Sequence, residues 1–197
     1  TYVPSIRFAT DELDRAVTMR DMLSHRTGIS RHDGLWYQSD LTQKDLADKL
    51  RYVVPSAPLR TTFLYNNVLY SSAGYAIEAV SGTPWRTFVS ERILSPLDMT
   101  RTTFAIGDML RAAEPAVPYS ESRDGSGLTR APYYDDGGGV APAGGMNSSV
   151  VDMSHWLIAL LNDGVYHGTQ VIPRDVIRET LAPSIALPRT DLEAHGW

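Results

Sequence analysis

Apolar residues recur along this chain at helical spacing, and most of these runs begin at a residue that can cap a helix. Two early helices are predicted near residues 18–28 and 42–54. Each begins at a threonine that is followed three positions later by an aspartate, Asp21 or Asp45, which is the arrangement of a capping box. A glycine is expected to end the first helix, and Pro55 the second.

Four further helices are predicted from the same signals, whereas strand signals are scarce. These helices span residues 67–82, the run that opens at Thr83-Pro84, residues 149–164 and residues 173–183. The short run Gln170-Val171-Ile172 could pair as a strand. Residues 111–148 are rich in glycine, proline and serine, and long ordered loops of this kind often form the wall or lid of a site. The pattern favours a single, mostly helical unit.

Composition and charge narrow the classes of protein to which the chain can belong. Its net charge is −5, with 43% apolar and 21% charged residues, as in a globular protein. Only two lysines are present, Lys44 and Lys49, so a nucleic-acid partner is not expected. No apolar run approaches the roughly 18 residues that span a bilayer. The absence of cysteine excludes disulfides and a cysteine-rich zinc site.

Searches for common cofactor and metal motifs find no match, so neither a cofactor nor a metal is expected. The chain contains no G-x-S-x-G, no P-loop, no G-x-G-x-x-G and no H-E-x-x-H. His25, His32 and Asp33 lie close in sequence, but their spacing matches no common ligand pattern. We interpret His25 as part of the last turn of the first predicted helix, where its partial charge would suit the helix dipole.

A tyrosine and an asparagine two residues apart, Tyr65 and Asn67, stand at the start of a predicted helix. A tyrosine phenol can act as a base when nearby cations stabilise its charged form. An asparagine amide can both donate and accept, so it can hold a substrate amide and a lysine ammonium together. The pair is therefore suited to acyl transfer. Taken alone, however, it is more often a helix cap and a packed aromatic ring.

Four segments, in order along the chain, give this pair a context. They are Met22-Leu23-Ser24-His25-Arg26-Thr27-Gly28, Tyr65-Asn66-Asn67 with the later Tyr70, Gly74 and Gly82, Ser95-Pro96-Leu97-Asp98-Met99-Thr100-Arg101-Thr102, and Ala141-Pro142-Ala143-Gly144-Gly145-Met146-Asn147-Ser148-Ser149, which Asp152 and the predicted helix of Trp156 follow. Together they resemble the serine β-lactamase and penicillin-binding-protein family, in the branch that holds class C β-lactamases, D-aminopeptidases and β-lactamase-like esterases. Asp98 stands where the family usually has glycine, and aspartate tolerates left-handed backbone better than most residues.

The resemblance implies an α+β, mostly helical fold, namely the helical subdomain of the serine β-lactamase/DD-peptidase fold with little of its central antiparallel sheet. It also implies a serine acyl hydrolase or transferase that acts through an acyl-enzyme on a β-lactam, a small ester or a D-amino-acid peptide. Tyr65 would be the general base or proton shuttle, and Asn67 the partner of the substrate amide and of a lysine. Tyr119, Tyr133 and Tyr134 either line an acyl pocket or anchor the 111–148 loop as buried rings.

Two motifs of the family have no match in this chain. S-x-x-K is absent, because Lys44 and Lys49 each have a leucine three positions earlier, and K-T-G is absent as well. The resemblance therefore implies that residues 1–197 are part of a larger domain, with the serine and lysine shortly before residue 1 and the third motif shortly after Trp197. The chain alone is expected to form no acyl-enzyme, and Tyr65 is expected to lack a neighbouring cation.

Replacement nucleophiles and a non-catalytic role are the alternatives to this view. Ser24, Ser71 and Ser72 have no lysine or histidine at a telling spacing, so capping or surface roles are favoured for them. The second hypothesis for the whole chain is a truncated or degenerate relative that binds or scaffolds. An S-x-x-K sequence in the gene upstream of Thr1 would favour the enzyme, and its absence would favour the binding module.

Overall fold

The computed structural model describes residues 3–133 and 138–187, and helices dominate these residues. The α-helices are α1 (Asp11–Ala16), α2 (Met19–Leu23), α3 (Gln43–Lys49), α4 (Asn67–Ser81), α5 (Trp85–Val89), α6 (Ile106–Met109), α7 (Ala141–Gly144), α8 (Val150–Leu161) and α9 (Arg174–Leu181). Short 3-10 turns lie at Asp33–Leu35 and Leu50–Tyr52, and a π-helical turn at Ser90–Leu94 continues α5. The mostly helical α+β prediction is confirmed. Within the described residues, no helix is both long and apolar enough to cross a membrane.

The strands of the described residues form two small antiparallel hairpins. They are β1 (Tyr119–Glu121) with β2 (Leu128–Arg130), and β3 (Val165–Tyr166) with β4 (Thr169–Gln170). Of the strand predicted at residues 170–172, only Gln170 is paired. The first hairpin and α7 lie inside the segment that was predicted as an irregular loop. Both strands of that hairpin are exposed along their whole length, so no alternation of apolar and polar residues marks them.

Local capping signals decide where three helices begin. The Thr18 and Thr42 side chains each accept a hydrogen bond from the backbone N–H three residues later, and the aspartates there bond back to the threonine N–H groups. Ser149 caps α8 in the same way by accepting from the Asp152 N–H. These three predicted helix starts are confirmed, because each depends only on residues within one turn of the chain.

The first predicted helix ends early, at Leu23 rather than near Gly28. His25 has a φ of 56°, a left-handed conformation that a helix cannot include. Gly28, at a φ of 84°, then packs its backbone against a distant segment, and a Cβ there would lie 2.0 Å from the Ala57 carbonyl oxygen. The Gly28 carbonyl accepts from the N–H groups of Ser56 and Ala57 at 2.8 and 3.2 Å. Residues 24–30 are therefore not helical, and hydrogen bonds hold them against residues 56–57.

The other helix boundaries follow the predictions with small shifts. Gly82 ends α4 in the left-handed conformation, with a φ of 70°. Pro84 and Pro173 occupy cap positions rather than the first helical positions of α5 and α9. Asp98 has a φ of 54°, so its backbone is left-handed, the conformation that aspartate tolerates better than most residues.

Two apolar clusters hold the described residues together. The first lies between α3 and the start of α4, and its buried members are Phe8, Leu13, Met22, Ile29, Leu46, Leu50, Val53, Val68 and Leu69. The second lies beside α8, and its buried members are Leu94, Leu97, Met99, Ala159 and Tyr166. Close contact also fixes α7 on α4, because a Cβ at Gly74 would meet the Pro142 ring at 2.3 Å. The first cluster underlies the N-terminus of α4, where the candidate site lies.

Candidate active site

A buried asparagine fixes the N-terminus of α4, between the two candidate residues. Asn66 is fully buried, its side-chain oxygen accepts from the Leu69 N–H at 3.1 Å, and its amide nitrogen donates to the Ser30 carbonyl at 2.7 Å. Tyr65 immediately precedes this cap, and Asn67 is the first residue of the helix. Asn66 therefore has a structural role, and it holds its two neighbours in fixed positions.

Tyr65 lies at the surface with its hydroxyl group unengaged. The residue is 43% exposed, and its hydroxyl forms no hydrogen bond with a described residue. Tyr70, one turn into α4, differs: its hydroxyl donates to the Leu23 carbonyl at 2.7 Å, and burial raises the pKa of its phenol. Of these two tyrosines, only Tyr65 has a hydroxyl that no described residue binds.

A cation does lie beside Tyr65, contrary to the expectation from sequence. The Arg31 guanidinium carbon is 5.2 Å from the centroid of the Tyr65 ring, within the range of a cation–π contact. Arg31 also forms an ion pair with Asp33, so its charge is partly balanced. The guanidinium packs on the ring face, which makes it a support for the ring.

The ring of His25 forms the other support of Tyr65. Its centroid is 4.6 Å from that of Tyr65, 5.0 Å from that of Tyr70 and 5.4 Å from that of Phe63. Its Nδ1 accepts from the Asn66 N–H at 3.2 Å, and burial lowers its pKa below the ordinary value. The interpretation of His25 as part of the last turn of the first helix is therefore wrong: α2 ends at Leu23, and the buried ring of His25 packs against these aromatic rings beyond the helix end.

Asn67 is held by the carboxylate of Asp33, a contact that sequence analysis did not predict. Its amide nitrogen donates to Asp33 Oδ1 at 3.2 Å, and the Trp36 indole donates to the same oxygen at 2.9 Å. Burial acts to raise the Asp33 pKa, but hydrogen bonds from Arg31 and Trp36 outweigh it and hold that pKa below its ordinary value. Asp33 is therefore ionised at neutral pH. Within the described residues, no cluster of histidine, cysteine, aspartate or glutamate could hold a metal ion.

A buried ion-pair network lies beneath the site and joins its two segments. The Asp21 side chain is fully buried and accepts from Arg26 Nε at 2.7 Å and from two Arg60 nitrogens at 2.9 and 2.8 Å. Burial opposes ionisation of Asp21, but the Arg60, Thr18 and Arg26 hydrogen bonds hold its pKa far below the ordinary value. The chain after α2 also bonds the chain before α4, through Leu64 N–H to the His25 carbonyl at 2.8 Å.

No hydrogen bond or ring contact between described residues joins Tyr119 or Tyr133 to Tyr65. Tyr119 lies in β1 with 59% of its side chain exposed. The Tyr133 hydroxyl donates to the Ala116 carbonyl of the same segment at 2.8 Å, which favours the anchoring role for this residue. Tyr134 lies outside the described residues. A pocket-lining role for these residues stays a prediction.

The serines that were considered as replacement nucleophiles are buried or bonded within their own helices. The Ser24 hydroxyl donates to the Arg20 carbonyl at 2.5 Å, and the Ser72 hydroxyl donates to the Val68 carbonyl at 2.8 Å. Ser71 and Ser72 are fully buried inside α4. None of the three has an exposed hydroxyl that is hydrogen-bonded to a general base, as a nucleophilic serine requires.

The mostly helical fold agrees with a comparison against known families. The model of the Beta-lactamase family matches residues 1–196, so the chain belongs to that family. The "Unguisins hydrolase ungD" of Aspergillus violaceofuscus is 34% identical over 155 residues, covering 74% of this chain and 27% of that protein. The chain thus spans about a quarter of the length of this curated relative.

Solved structures show the same fold. The octameric penicillin-binding protein homologue from Pyrococcus abyssi superposes with a TM-score of 0.69 at 24% identity, covering 88% of this chain and 40% of that one. The D-stereospecific amidohydrolase from Streptomyces sp. gives a TM-score of 0.67 at 24% identity, covering 93% of this chain and 56% of that one. The predicted relation to β-lactamases and penicillin-binding proteins is confirmed, as is the fold class.

Proposed function

We propose that this chain supplies the tyrosine–asparagine side of the active site of a serine acyl hydrolase or transferase. One observation carries the proposal: at the N-terminus of α4 the Tyr65 hydroxyl is exposed and unengaged, whereas the neighbouring Tyr70 hydroxyl and Asn66 amide are used in structural hydrogen bonds.

In the proposed reaction, a serine attacks the substrate carbonyl and forms an acyl-enzyme, which water or another acceptor then resolves. Tyr65 takes the proton from the attacking hydroxyl or passes it to the leaving group. Asn67 accepts a hydrogen bond from a lysine ammonium and holds the substrate amide. The serine and lysine come from an S-x-x-K segment, which the sequence of this chain does not contain.

A D-amino-acid amide or peptide is our first choice of substrate, with β-lactams and small esters as the other acyl donors to be tested. The choice is supported by the names of the structural neighbours, which include a D-stereospecific amidohydrolase and a D-amino acid amidase. The 111–148 segment, with β1 and β2, is proposed as the wall that selects among these substrates.

A non-catalytic binding module is the second candidate, and the missing S-x-x-K motif is the observation that favours it. The gene sequence upstream of Thr1 separates the two, since only an acyl hydrolase requires that motif nearby.

Covalent labelling tests the proposal directly. The 197-residue chain, and a protein that carries it together with an S-x-x-K segment, are each incubated with a fluorophosphonate or a penicillin and weighed by intact-protein mass spectrometry. We expect a stoichiometric adduct on the longer protein and none on the chain alone. An adduct on the chain alone would show that it contains its own nucleophile. No adduct on the longer protein would favour the binding module.

A further inference from the structure

Asp33 collects hydrogen bonds from three side chains around the Tyr65–Asn67 pair. Its Oδ1 accepts from the Trp36 indole at 2.9 Å and from the Asn67 amide at 3.2 Å, and its Oδ2 accepts from Arg31 Nε. The Asp33 side chain is 30% exposed, so two-thirds of it is enclosed by these partners and the surrounding turn.

The chemistry of a carboxylate determines which end of the Asn67 amide faces Asp33. An ionised carboxylate can only accept hydrogen bonds, so the amide must turn its NH2 group towards it. The Asn67 carbonyl oxygen then faces away from Asp33. Among residues 3–133 and 138–187, the hydrogen bond recorded for this side chain is the one from its amide nitrogen to Asp33, so the oxygen can accept from a group that the site binds. Asp33 thereby fixes the orientation of the Asn67 side-chain amide, with the nitrogen towards the carboxylate and the oxygen away from it.

The same carboxylate also acts on Tyr65, through Arg31. The guanidinium that donates to Asp33 lies over the Tyr65 ring, 5.2 Å from its centroid. Ion pairing with Asp33 restricts where this flexible side chain can go. One carboxylate is therefore connected to both residues of the candidate pair, to Asn67 directly and to Tyr65 by way of Arg31.

We propose that Asp33 is a positioning residue of the active site, which turns the Asn67 carbonyl oxygen towards the catalytic lysine and steadies the Tyr65 ring. The proposal rests on the function proposed above and deepens it. Without the carboxylate, the amide would rotate about its last torsion and present its NH2 group, a donor, where the ammonium needs an acceptor. Asp33→Asn is the informative change, because an asparagine keeps the shape but no longer dictates the orientation of its partner.

Nuclear magnetic resonance of the 15N-labelled 197-residue chain tests the orientation without any catalysis. The Asn67 side-chain amide signals are assigned by their loss in Asn67→Ala. In the unmodified chain we expect one amide proton to be shifted downfield and protected from exchange, and in Asp33→Asn we expect that protection to fall roughly tenfold, as for loss of a bond to a charged group. Unprotected amide protons in the unmodified chain would overturn the proposal, even if Asp33→Asn failed to fold.

A double-mutant cycle tests the effect on the reaction, in a protein that carries this chain and an S-x-x-K segment. We expect Asp33→Asn to slow acylation about tenfold when Asn67 is present and to have almost no effect in an Asn67→Ala background. Trp36→Phe is the matched control: it removes the other donor to the same oxygen and should leave the rate within about twofold. An equal effect of Asp33→Asn in both backgrounds would contradict positioning through Asn67.

The two experiments fail separately. If the unmodified longer protein forms no acyl-enzyme, the proposed function is wrong, while the amide signals still decide whether Asp33 fixes Asn67. If acylation occurs but the amide is unprotected or the cycle shows no coupling, the positioning role is wrong and the function stands.

Discussion

Asp21→Asn should destabilise this chain far more than the same change in an identical capping motif. Asp21 is fully buried and joins α2 to the chain before α4 through Arg26 and Arg60, at 2.7 to 2.9 Å. An asparagine has the same shape, but it carries no charge and points an NH2 group at side chains that can only donate. At least one arginine donor would then face another donor in a largely dry environment.

The magnitude follows from the burial of the partners. Removing one member of a buried ion pair costs about 3–5 kcal/mol. Because the Arg60 side chain is 47% exposed and water can solvate it in part, we expect the low end, about 3 kcal/mol. Asp45 is the matched control, since it forms the same capping box with Thr42 in an exposed position. Its change to asparagine should cost much less than Asp21→Asn, because water can solvate the exposed capping groups that lose the carboxylate.

Urea unfolding of the unmodified chain and the two variants, followed by circular dichroism, measures the difference. We expect a lower midpoint at unchanged slope for Asp21→Asn. In thermal unfolding, about 3 kcal/mol corresponds to a fall of roughly 6–12 °C for a chain of this size. Equal losses for Asp21→Asn and Asp45→Asn would refute the reasoning, because they would show that the arginine network adds nothing to the cap.

Two further predictions concern backbone and pH. Gly28→Ala should lower the free energy of unfolding by about 3 kcal/mol, because its backbone is left-handed and the new Cβ would lie against the Ala57 carbonyl. Gly82→Ala has a similar φ but nothing within 4 Å of the new Cβ, so it should cost only about 1 kcal/mol. Equal costs in urea unfolding would contradict the close packing at Gly28. Because the pKa values of Asp21 and Asp33 are lowered in the folded chain, the stability they contribute is present above about pH 4 and is lost as the pH falls further. Thermal melts between about pH 6 and 2 should therefore show a shallower decline for Asp21→Asn than for the unmodified chain.

Features that depend on neighbouring residues could be predicted from the sequence. The caps at Thr18, Thr42 and Ser149 each need one hydrogen bond across three residues, and all three are present. The left-handed Asp98 could likewise be predicted, from the glycine that the family usually has there. These signals are local, so the residues that produce them stand together in the chain.

Contacts between distant residues could not be predicted in this way. Asp33 and Asn67 are 34 positions apart, and Asp21 and Arg60 are 39 positions apart. A charged or amide side chain that bonds across such a distance leaves no periodic trace in the sequence. His25 shows the same limit: its left-handed backbone ends α2, although the surrounding residues favour a longer helix. Tyr65 and Asn67 could therefore be predicted as candidate residues from the family motif, whereas the contacts of Asp33 and His25 with them could not.

The acylation rate of Tyr65→Phe, compared with that of Tyr70→Phe, tests the central claim most directly. Both changes remove one hydroxyl from a tyrosine next to His25, but only the Tyr70 hydroxyl has a structural hydrogen bond. The rates are measured in single-turnover experiments, in a protein that carries this chain and an S-x-x-K segment. Tyr65→Phe should slow acylation by about 10²–10⁴-fold at unchanged stability, whereas Tyr70→Phe should lower stability and leave the rate within about threefold. A Tyr65→Phe protein that acylates at the unmodified rate would contradict the account.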